Sequence, residues 1–163
     1  MRDITITAAG PADLILLDHV FGPFLGGVYR RRFELPGRIL LAEINHRPAA
    51  AMFVSTGCPD EPEIIEHLGE TPMLHRLAVV LHRRRTGLAT FLIGAAEAAL
   101  RERGHRRVAV GVDLENTIAV RLYDGAGFRE WPHGRLKTFR EHRDADGTVR
   151  ITPDECLIFV KDL

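Results

Sequence analysis

The chain has 163 residues, about the size of one domain and enough to bury a sizeable core, so we expect one domain over residues 1–163. Its 22 Lys and Arg residues balance 22 Asp and Glu residues, which argues against a general nucleic-acid-binding domain and against disorder. The two cysteines have no metal or disulfide spacing, and no apolar leader or membrane-length apolar run is present, so we expect a cytoplasmic protein that binds neither metal nor membrane.

The balanced charge is unevenly distributed along the sequence. Residues 73–107 carry a net charge of +6, whereas residues 1–72 carry −4 and residues 108–163 carry −2. Nearly all of the basic residues are arginines. The basic middle segment therefore requires an explanation other than general binding to nucleic acid.

The first third of the chain predicts a strand, two helices and a β-hairpin. Residues 4–7 alternate and are β-branched, which is typical of a strand, and Pro11 opens an apolar pattern with helical spacing. A short second helix is expected at about residues 25–32. The apolar runs 38–43 and 49–55 flank the sequence Asn-His-Arg-Pro, which indicates a hairpin.

The next segment, residues 56–72, is rich in turn-forming residues and is strongly acidic. It contains no Lys or Arg but has five carboxylates, which are Asp60, Glu61, Glu63, Glu66 and Glu70. We expect this segment to be a loop, and a strand to follow it over residues 74–80.

The C-terminal half predicts alternating helices and strands. Residues 87–103 have an unbroken apolar stripe and form the clearest helix, and residues 108–112 alternate as a strand. Asn116 is placed to cap another helix, Phe128 begins an extended segment, and residues 157–160 form a final strand. Strands and helices mixed in this order predict an α+β domain built on one mixed sheet.

The sequence between the fourth strand and its helix has the chemistry of a phosphate-binding turn. Arg83, Arg84 and Arg85 precede Gly87 and Ala89, which lie at the helix start. The first N–H groups of a helix lack intrahelical partners, small residues let a phosphate approach them, and arginines supply charge and forked donors. The spacing fits neither a P-loop nor a dinucleotide-binding fingerprint. A solvated arginine run with a glycine chosen for packing remains the alternative.

Two segments resemble the conserved motifs of the GNAT superfamily of N-acetyltransferases. Residues 77–89 read Leu-Ala-Val, four residues, then Arg-x-x-Gly-x-Ala, which resembles the family's motif A. Residues 116–128 read Asn-x-x-Ala-x-x-Leu-Tyr-x-x-x-Gly-Phe, which is similar to motif B. The resemblance implies an α/β/α layered fold with one mixed, mostly antiparallel sheet flanked by helices. It also implies that acetyl-CoA is the co-substrate, bound between the fourth and fifth strands.

The resemblance assigns the cofactor contacts position by position. Main-chain groups of Leu77 and Val79 would pair with the pantetheine arm, and Asn116 would contact the same arm, although a plain helix N-cap is its alternative role. The pyrophosphate would lie on main-chain N–H groups of the motif A turn, namely Arg84, Arg85, Thr86, Gly87, Leu88, Ala89 and Thr90. The basic middle segment would then face the phosphates of the cofactor.

The resemblance also implies two catalytic residues. Tyr123 matches the family's general acid, which protonates the departing CoA thiolate, and its alternative role is packing on the sheet. His75 resembles a histidine of the serotonin N-acetyltransferases that is implicated in removing the amine proton through water. A half-buried structural histidine is the alternative. Met73 stands where the histone acetyltransferases have a catalytic glutamate, so that glutamate is absent here.

The acceptor site varies within the family, and two features suggest its character. The acidic segment 56–72 would attract a cationic amine, with Glu66 and Glu70 as candidate substrate-binding residues or as bases acting through water. Residues 30–32, three arginines, could receive a substrate carboxylate or phosphate. Solvated surface charge is the alternative for both features.

The resemblance and these residues together predict an acetyl-CoA-dependent N-acetyltransferase that transfers the acetyl group directly to a primary amine of a small molecule. A protein N-terminal or lysine acetyltransferase is one alternative, and a catalytically silent CoA-binding module is another. Members of the family are often homodimers, so a homodimer is a further expectation.

Overall fold

The computed structural model describes residues 3–163, and an eight-stranded sheet within them organises the fold. The strands are β1 (Ile4–Ala8), β2 (Gly37–Ile44), β3 (Arg47–Ser55), β4 (Met73–Val79), β5 (Arg107–Asp113), β6 (Arg129–Glu130), β7 (Leu136–Arg143) and β8 (Val149–Asp162). The helices are α1 (Asp13–Phe21), α2 (Pro23–Phe33), α3 (Pro62–Leu68), α4 (Leu88–Glu102) and α5 (Thr117–Gly125), and Leu81–Arg83 form a 3-10 turn.

The sheet is mixed and mostly antiparallel, as predicted. Its strand order is β1-β2-β3-β4-β5-β8-β6, and β7 pairs with the first half of the long strand β8. Only β4 and β5 run parallel within the described residues, and the other pairs are antiparallel. A parallel pair requires a crossover connection, which α4 provides.

Helices cover both faces of the sheet, because alternate residues of a strand point to opposite faces. Leu40 and Ala42 of β2 belong to the core cluster under α4 and α5, whereas Ile39 and Leu41 belong to the cluster under α1 and α2. Ala109 of β5 packs in a third cluster that contains Ile64 of α3. The arrangement is the predicted α/β/α layering.

Two elements differ from the sequence-based expectation. The acidic segment predicted as a loop contains the seven-residue helix α3, which begins at Pro62 and buries Ile64 against the sheet. The strand β7 was also not predicted, because six of its eight residues are polar and burial does not alternate along it. The longest described helix, α4, has 15 residues, and none of the helices in residues 3–163 has the length and hydropathy of a membrane span.

Candidate active site

The strands β4 and β5 pair only at their beginnings and then diverge. Backbone pairing joins Met73 with Ala109 and Leu74 with Val110, and no later residues of the two strands pair. The opening between them has a volume of about 1620 Å³. Pockets for one small molecule usually measure about 300–1,000 Å³, so this opening has room for more than one ligand.

A β-bulge bends β4 beside this opening. The register with β3 shifts between Ala51 and Phe53, and Arg76 lies at the bulge with a φ of +56°, in the left-handed region. The fully buried Tyr29 of α2 holds the bulge, because its hydroxyl donates to the Arg76 carbonyl at 2.5 Å and lies 3.3 Å from the Ala51 carbonyl. Burial raises the pKa of Tyr29, so the hydroxyl stays protonated and able to donate.

Tyr29 was not predicted as a site residue. Its partners lie 22 and 47 residues away along the chain, and no local sequence pattern links a helical tyrosine to a bulge in a strand. The sequence offered one hint, which is that the chain contains two tyrosines and Tyr29 is one of them.

The start of α4 forms one wall of the opening. Its first backbone hydrogen bond runs from the Phe91 N–H to the Gly87 carbonyl at 3.0 Å, so the N–H groups of Leu88, Ala89 and Thr90 have no intrahelical partner. Gly87 has a φ of +81°, and a Cβ built there would meet nothing within 4 Å. Such a helix start favours negative charge and leaves clearance for a phosphate.

Most residues predicted to bind the cofactor line the opening. Those that do are Leu77, Val79, Arg84, Arg85, Gly87, Leu88, Ala89, Thr90 and Asn116. Thr86 is not among them, and its hydroxyl donates to the Arg83 carbonyl at 2.6 Å. The Leu88 side chain is buried in the core, so only its main chain is available to a ligand. Arg84 Nε donates to the Val79 carbonyl at 3.2 Å, which joins the basic turn to the end of β4.

The helix α5 contributes the opposite wall. Asn116 caps it, with its side-chain oxygen accepting from the Ala119 N–H at 3.0 Å, which leaves the amide NH2 group available. Tyr123 lines the opening and is 5% exposed, and its ring packs edge-on against Phe128 with the centroids 5.3 Å apart. Its hydroxyl has no hydrogen-bond partner among residues 3–163. Burial raises the pKa of Tyr123 and keeps the phenol protonated.

His75 lies on β4 and lines the same opening. Its ring centroid is 6.0 Å from that of Phe53. Burial lowers the pKa of His75 to about 3, with further lowering by the charges of Arg32 and Arg76. The imidazole is therefore neutral near pH 7, which leaves a lone pair free, although its conjugate acid is strongly disfavoured.

The acidic residues on the opening differ from those predicted. Asp60, Glu61 and Glu63 line it, whereas the predicted Glu66 and Glu70 are exposed and lie outside its lining. The cause is helix α3, whose formation carries the later carboxylates away from the opening.

The β7–β8 hairpin also lines the opening and carries an ionic network. Arg140 pairs with Asp113 at 3.3 Å and with Asp154 at 2.8 Å. Burial, followed by the charges of Glu61, Asp113 and Asp154, raises the pKa of Cys156 to about 12, so this thiol is not a nucleophile near neutral pH. Within residues 3–163 no group of three or more His, Cys, Asp or Glu side chains is arranged to hold a metal ion.

Comparison with known proteins agrees with this geometry. A 48-residue segment is 50% identical to the mycothiol acetyltransferase of Thermobispora bispora, and the match covers 29% of this chain and 16% of that protein's length. The ribosomal-protein-S18-alanine N-acetyltransferase from Escherichia coli has a similar fold, with a TM-score of 0.69, 19% identity, and coverage of 98% of this chain and 94% of that one. The structure of yncA from Salmonella typhimurium with its cofactor acetyl-CoA also has a similar fold, with a TM-score of 0.66, 15% identity, and coverage of 99% of this chain and 94% of that one.

The family itself follows from a match over most of the chain. Residues 21–128, which contain the β4–β5 opening, the start of α4 and Tyr123, match the sequence profile of the acetyltransferase (GNAT) family. Enzymes of that family transfer an acetyl group from acetyl-CoA to an amine acceptor. The chain therefore belongs to the acetyltransferase (GNAT) family.

Proposed function

We propose that this chain is an acetyl-CoA-dependent N-acetyltransferase that acetylates the primary amine of a small molecule by direct transfer. The observation that carries the proposal is that free helix N–H groups and Tyr123, whose ring is buried and whose hydroxyl has no hydrogen-bond partner among residues 3–163, line one opening. The first feature suits the phosphates of the donor, and the second suits its leaving group.

The donor would lie along β4, with its pyrophosphate on the N–H groups of Gly87 to Thr90. The arginines Arg83 to Arg85, which line the same end of the opening, would balance the phosphate charge. The main chain of β4 beyond Leu74, free of β5, would pair with the pantetheine arm. When bound, acetyl-CoA would supply the activated acetyl thioester.

Tyr123 would donate a proton to the leaving sulfur. Its hydroxyl has no hydrogen-bond partner among residues 3–163, so a ligand can accept from it without breaking an existing hydrogen bond. The burial that raises the pKa of the phenol would also raise the pKa of a thiol in the same opening. The two groups therefore remain suited to proton transfer even though both are desolvated.

His75 would take the proton from the acceptor amine through a water molecule. It is neutral near pH 7, as a base must be, but a pKa of about 3 makes it a weak base. A ligand that offsets the positive charges of Arg32 and Arg76 would raise that pKa toward the useful range. Glu61, which lines the same opening, is the alternative proton acceptor.

The test is the release of free CoA thiol from acetyl-CoA with a panel of amines, amino acids, aminoglycosides and peptides. We expect Tyr123→Phe to lower kcat with the best acceptor by about 100-fold or more, because proton transfer by a positioned side chain contributes about 10²–10⁴-fold. Calorimetric binding of acetyl-CoA should be unchanged, since the substitution keeps the ring that packs on Phe128.

Three outcomes would contradict parts of the proposal. Full turnover by the phenylalanine variant would remove Tyr123 from the chemistry. Turnover of peptides alone would favour a protein acetyltransferase. Binding of acetyl-CoA without thiol release from any acceptor would indicate a silent CoA-binding module.

A further inference from the structure

The three consecutive arginines at the end of α2 have different surroundings. Arg30 is exposed and forms an ion pair with Asp18 of α1, and Arg31 donates to Glu141 of β7 at 2.9 Å. Of the three, only Arg32 lines the opening between β4 and β5. The charges of Arg30 and Arg31 thus serve contacts within the protein, whereas that of Arg32 faces the site.

Arg32 is held in place but lacks an anionic partner. Its side chain is half-buried, and its guanidinium carbon lies over the Phe53 ring, 5.6 Å from the ring centre. Among residues 3–163 it forms no hydrogen bond and has no carboxylate within ion-pair distance. A partly desolvated guanidinium with unused donors is costly, and an anionic ligand would offset that cost. Burial and the charge of Arg76 lower its pKa, which agrees with this unpaired state.

Arg32 also lies near the proposed reacting centre. Its guanidinium and the His75 ring flank the same Phe53 side chain, each about 6 Å from the centre of that ring. The charge of Arg32 also acts on His75, whose pKa it lowers. An anion bound by Arg32 and an amine near His75 can therefore belong to one small molecule.

The charges around Arg32 indicate which anion fits. Asp60, Glu61 and Glu141 line the opening near the guanidinium, so the site presents both signs of charge. These carboxylates would repel a doubly charged phosphate more strongly than a singly charged carboxylate. They would also attract the ammonium form of the acceptor before it loses its proton.

We propose that the acceptor is a small amine that also carries a carboxylate, as a free amino acid does, and that Arg32 is the residue that selects it by binding that carboxylate. This inference rests on the proposed N-acetyltransferase function. It excludes peptides as preferred acceptors, because the carboxylate next to the reacting amine is replaced there by an amide.

The experiment measures thiol release with acceptors that differ in one group: a free amino acid, its carboxamide, and the corresponding aminophosphonate. We expect the amino acid to have a kcat/KM about 10- to 100-fold higher than its carboxamide, the range for a hydrogen-bonded contact with a charged group. Arg32→Gln should remove this preference, mainly through a higher KM for the amino acid. Arg30→Gln is the matched control on the same helix and should keep the preference, because Arg30 does not line the opening.

Each result bears on a different statement. Equal rates with the amino acid and its carboxamide, or an equal loss with every acceptor in Arg32→Gln, would overturn the carboxylate proposal while leaving the acetyltransferase function intact. A preference for the aminophosphonate would overturn the choice of carboxylate. Thiol release with another amine of the larger panel but with none of these three acceptors would overturn the carboxylate proposal alone, whereas no thiol release with any amine of that panel would contradict the proposed function itself.

Discussion

His75 combines a position in the opening with a pKa that burial and two neighbouring arginines hold at about 3. An unfolded histidine has a pKa of about 6.5, so between these values the unfolded chain binds a proton that the folded chain does not. Folding stability from this residue is therefore fully present above about pH 6.5 and is lost as the pH falls toward 3. The loss has an upper limit of about 1.4 kcal/mol per pH unit.

We predict that His75→Gln becomes more stable relative to the parent protein as the pH is lowered from 7 to 4.5. Urea unfolding at several pH values measures the difference, and comparison with the parent cancels the contribution of groups common to both. His82→Gln is the control, because His82 is exposed in the 3-10 turn. A stability difference between His75→Gln and the parent that does not change with pH would mean that His75 is not desolvated in solution.

Single residues were predictable where the motif gives their position and unpredictable where the fold brings them together. Tyr123 and Gly87 stand at motif positions, and the structure puts both on the opening. Tyr29 acquires its surroundings from β3 and β4, through the Ala51 and Arg76 carbonyls. The sequence suggested residues 30–32 together as an anion site, but only the fold places Arg32 over the Phe53 ring and on the opening. Contacts of this kind depend on strand register, which composition and periodicity do not specify.

At the scale of elements, the two glycines of the α4 region have opposite roles. Gly87 precedes the helix with a left-handed φ of +81°, whereas Gly94 lies inside the helix, is exposed, and has nothing within 4 Å of a built Cβ. A side chain at Gly87 must adopt a conformation that L-residues disfavour. A side chain at Gly94 only improves helix propensity.

We predict that Gly87→Ala lowers the free energy of unfolding by about 1 kcal/mol, and that Gly94→Ala raises it by about 0.5–1 kcal/mol. Gly87→Ala should also raise the KM for acetyl-CoA, because its methyl group lies where the phosphates are proposed to approach, whereas Gly94→Ala should not. Chemical unfolding and steady-state kinetics check both statements. An unchanged KM in Gly87→Ala would argue against phosphate binding at this helix start.

The elements also differ in how well the sequence predicted them. Five apolar residues on one face of α4 are buried. Their helical spacing is visible in the sequence, so the helix could be predicted without knowing which elements cover that face. The helix α3 has only seven residues, too few to show a period, and its acidic residues are typical of loops as well. The strand β7 pairs with β8 along its whole length and forms ion pairs such as that of Arg140 with Asp154. Neither of its faces is consistently buried, so its sequence does not show the alternation by which a strand is recognised.

At the scale of the whole molecule, a net charge of zero conceals an ordered separation of charge. Half of the basic residues in the segment 73–107 line the opening, namely Arg76, Arg83, Arg84 and Arg85. Asp60, Glu61 and Glu63 line it as well, and they come from the acidic segment. This separation would let the protein attract an anionic donor and the zwitterionic acceptor proposed above without the positive net charge that would also attract nucleic acid.

This arrangement predicts that salt weakens the association with acetyl-CoA by screening the arginines on the opening, rather than by screening the net charge of the protein. The Debye length falls from about 30 Å at 0.01 M salt to about 8 Å at 0.15 M, so exposed arginines lose influence over a distant phosphate. We expect kcat/KM for acetyl-CoA to fall severalfold over this range. Arg85→Gln should flatten the dependence, because Arg85 is exposed on the opening. Arg103→Gln, which removes the same charge from the exposed far end of α4, should follow the parent curve. Equal effects of the two substitutions would mean that net charge, rather than its placement, governs the association.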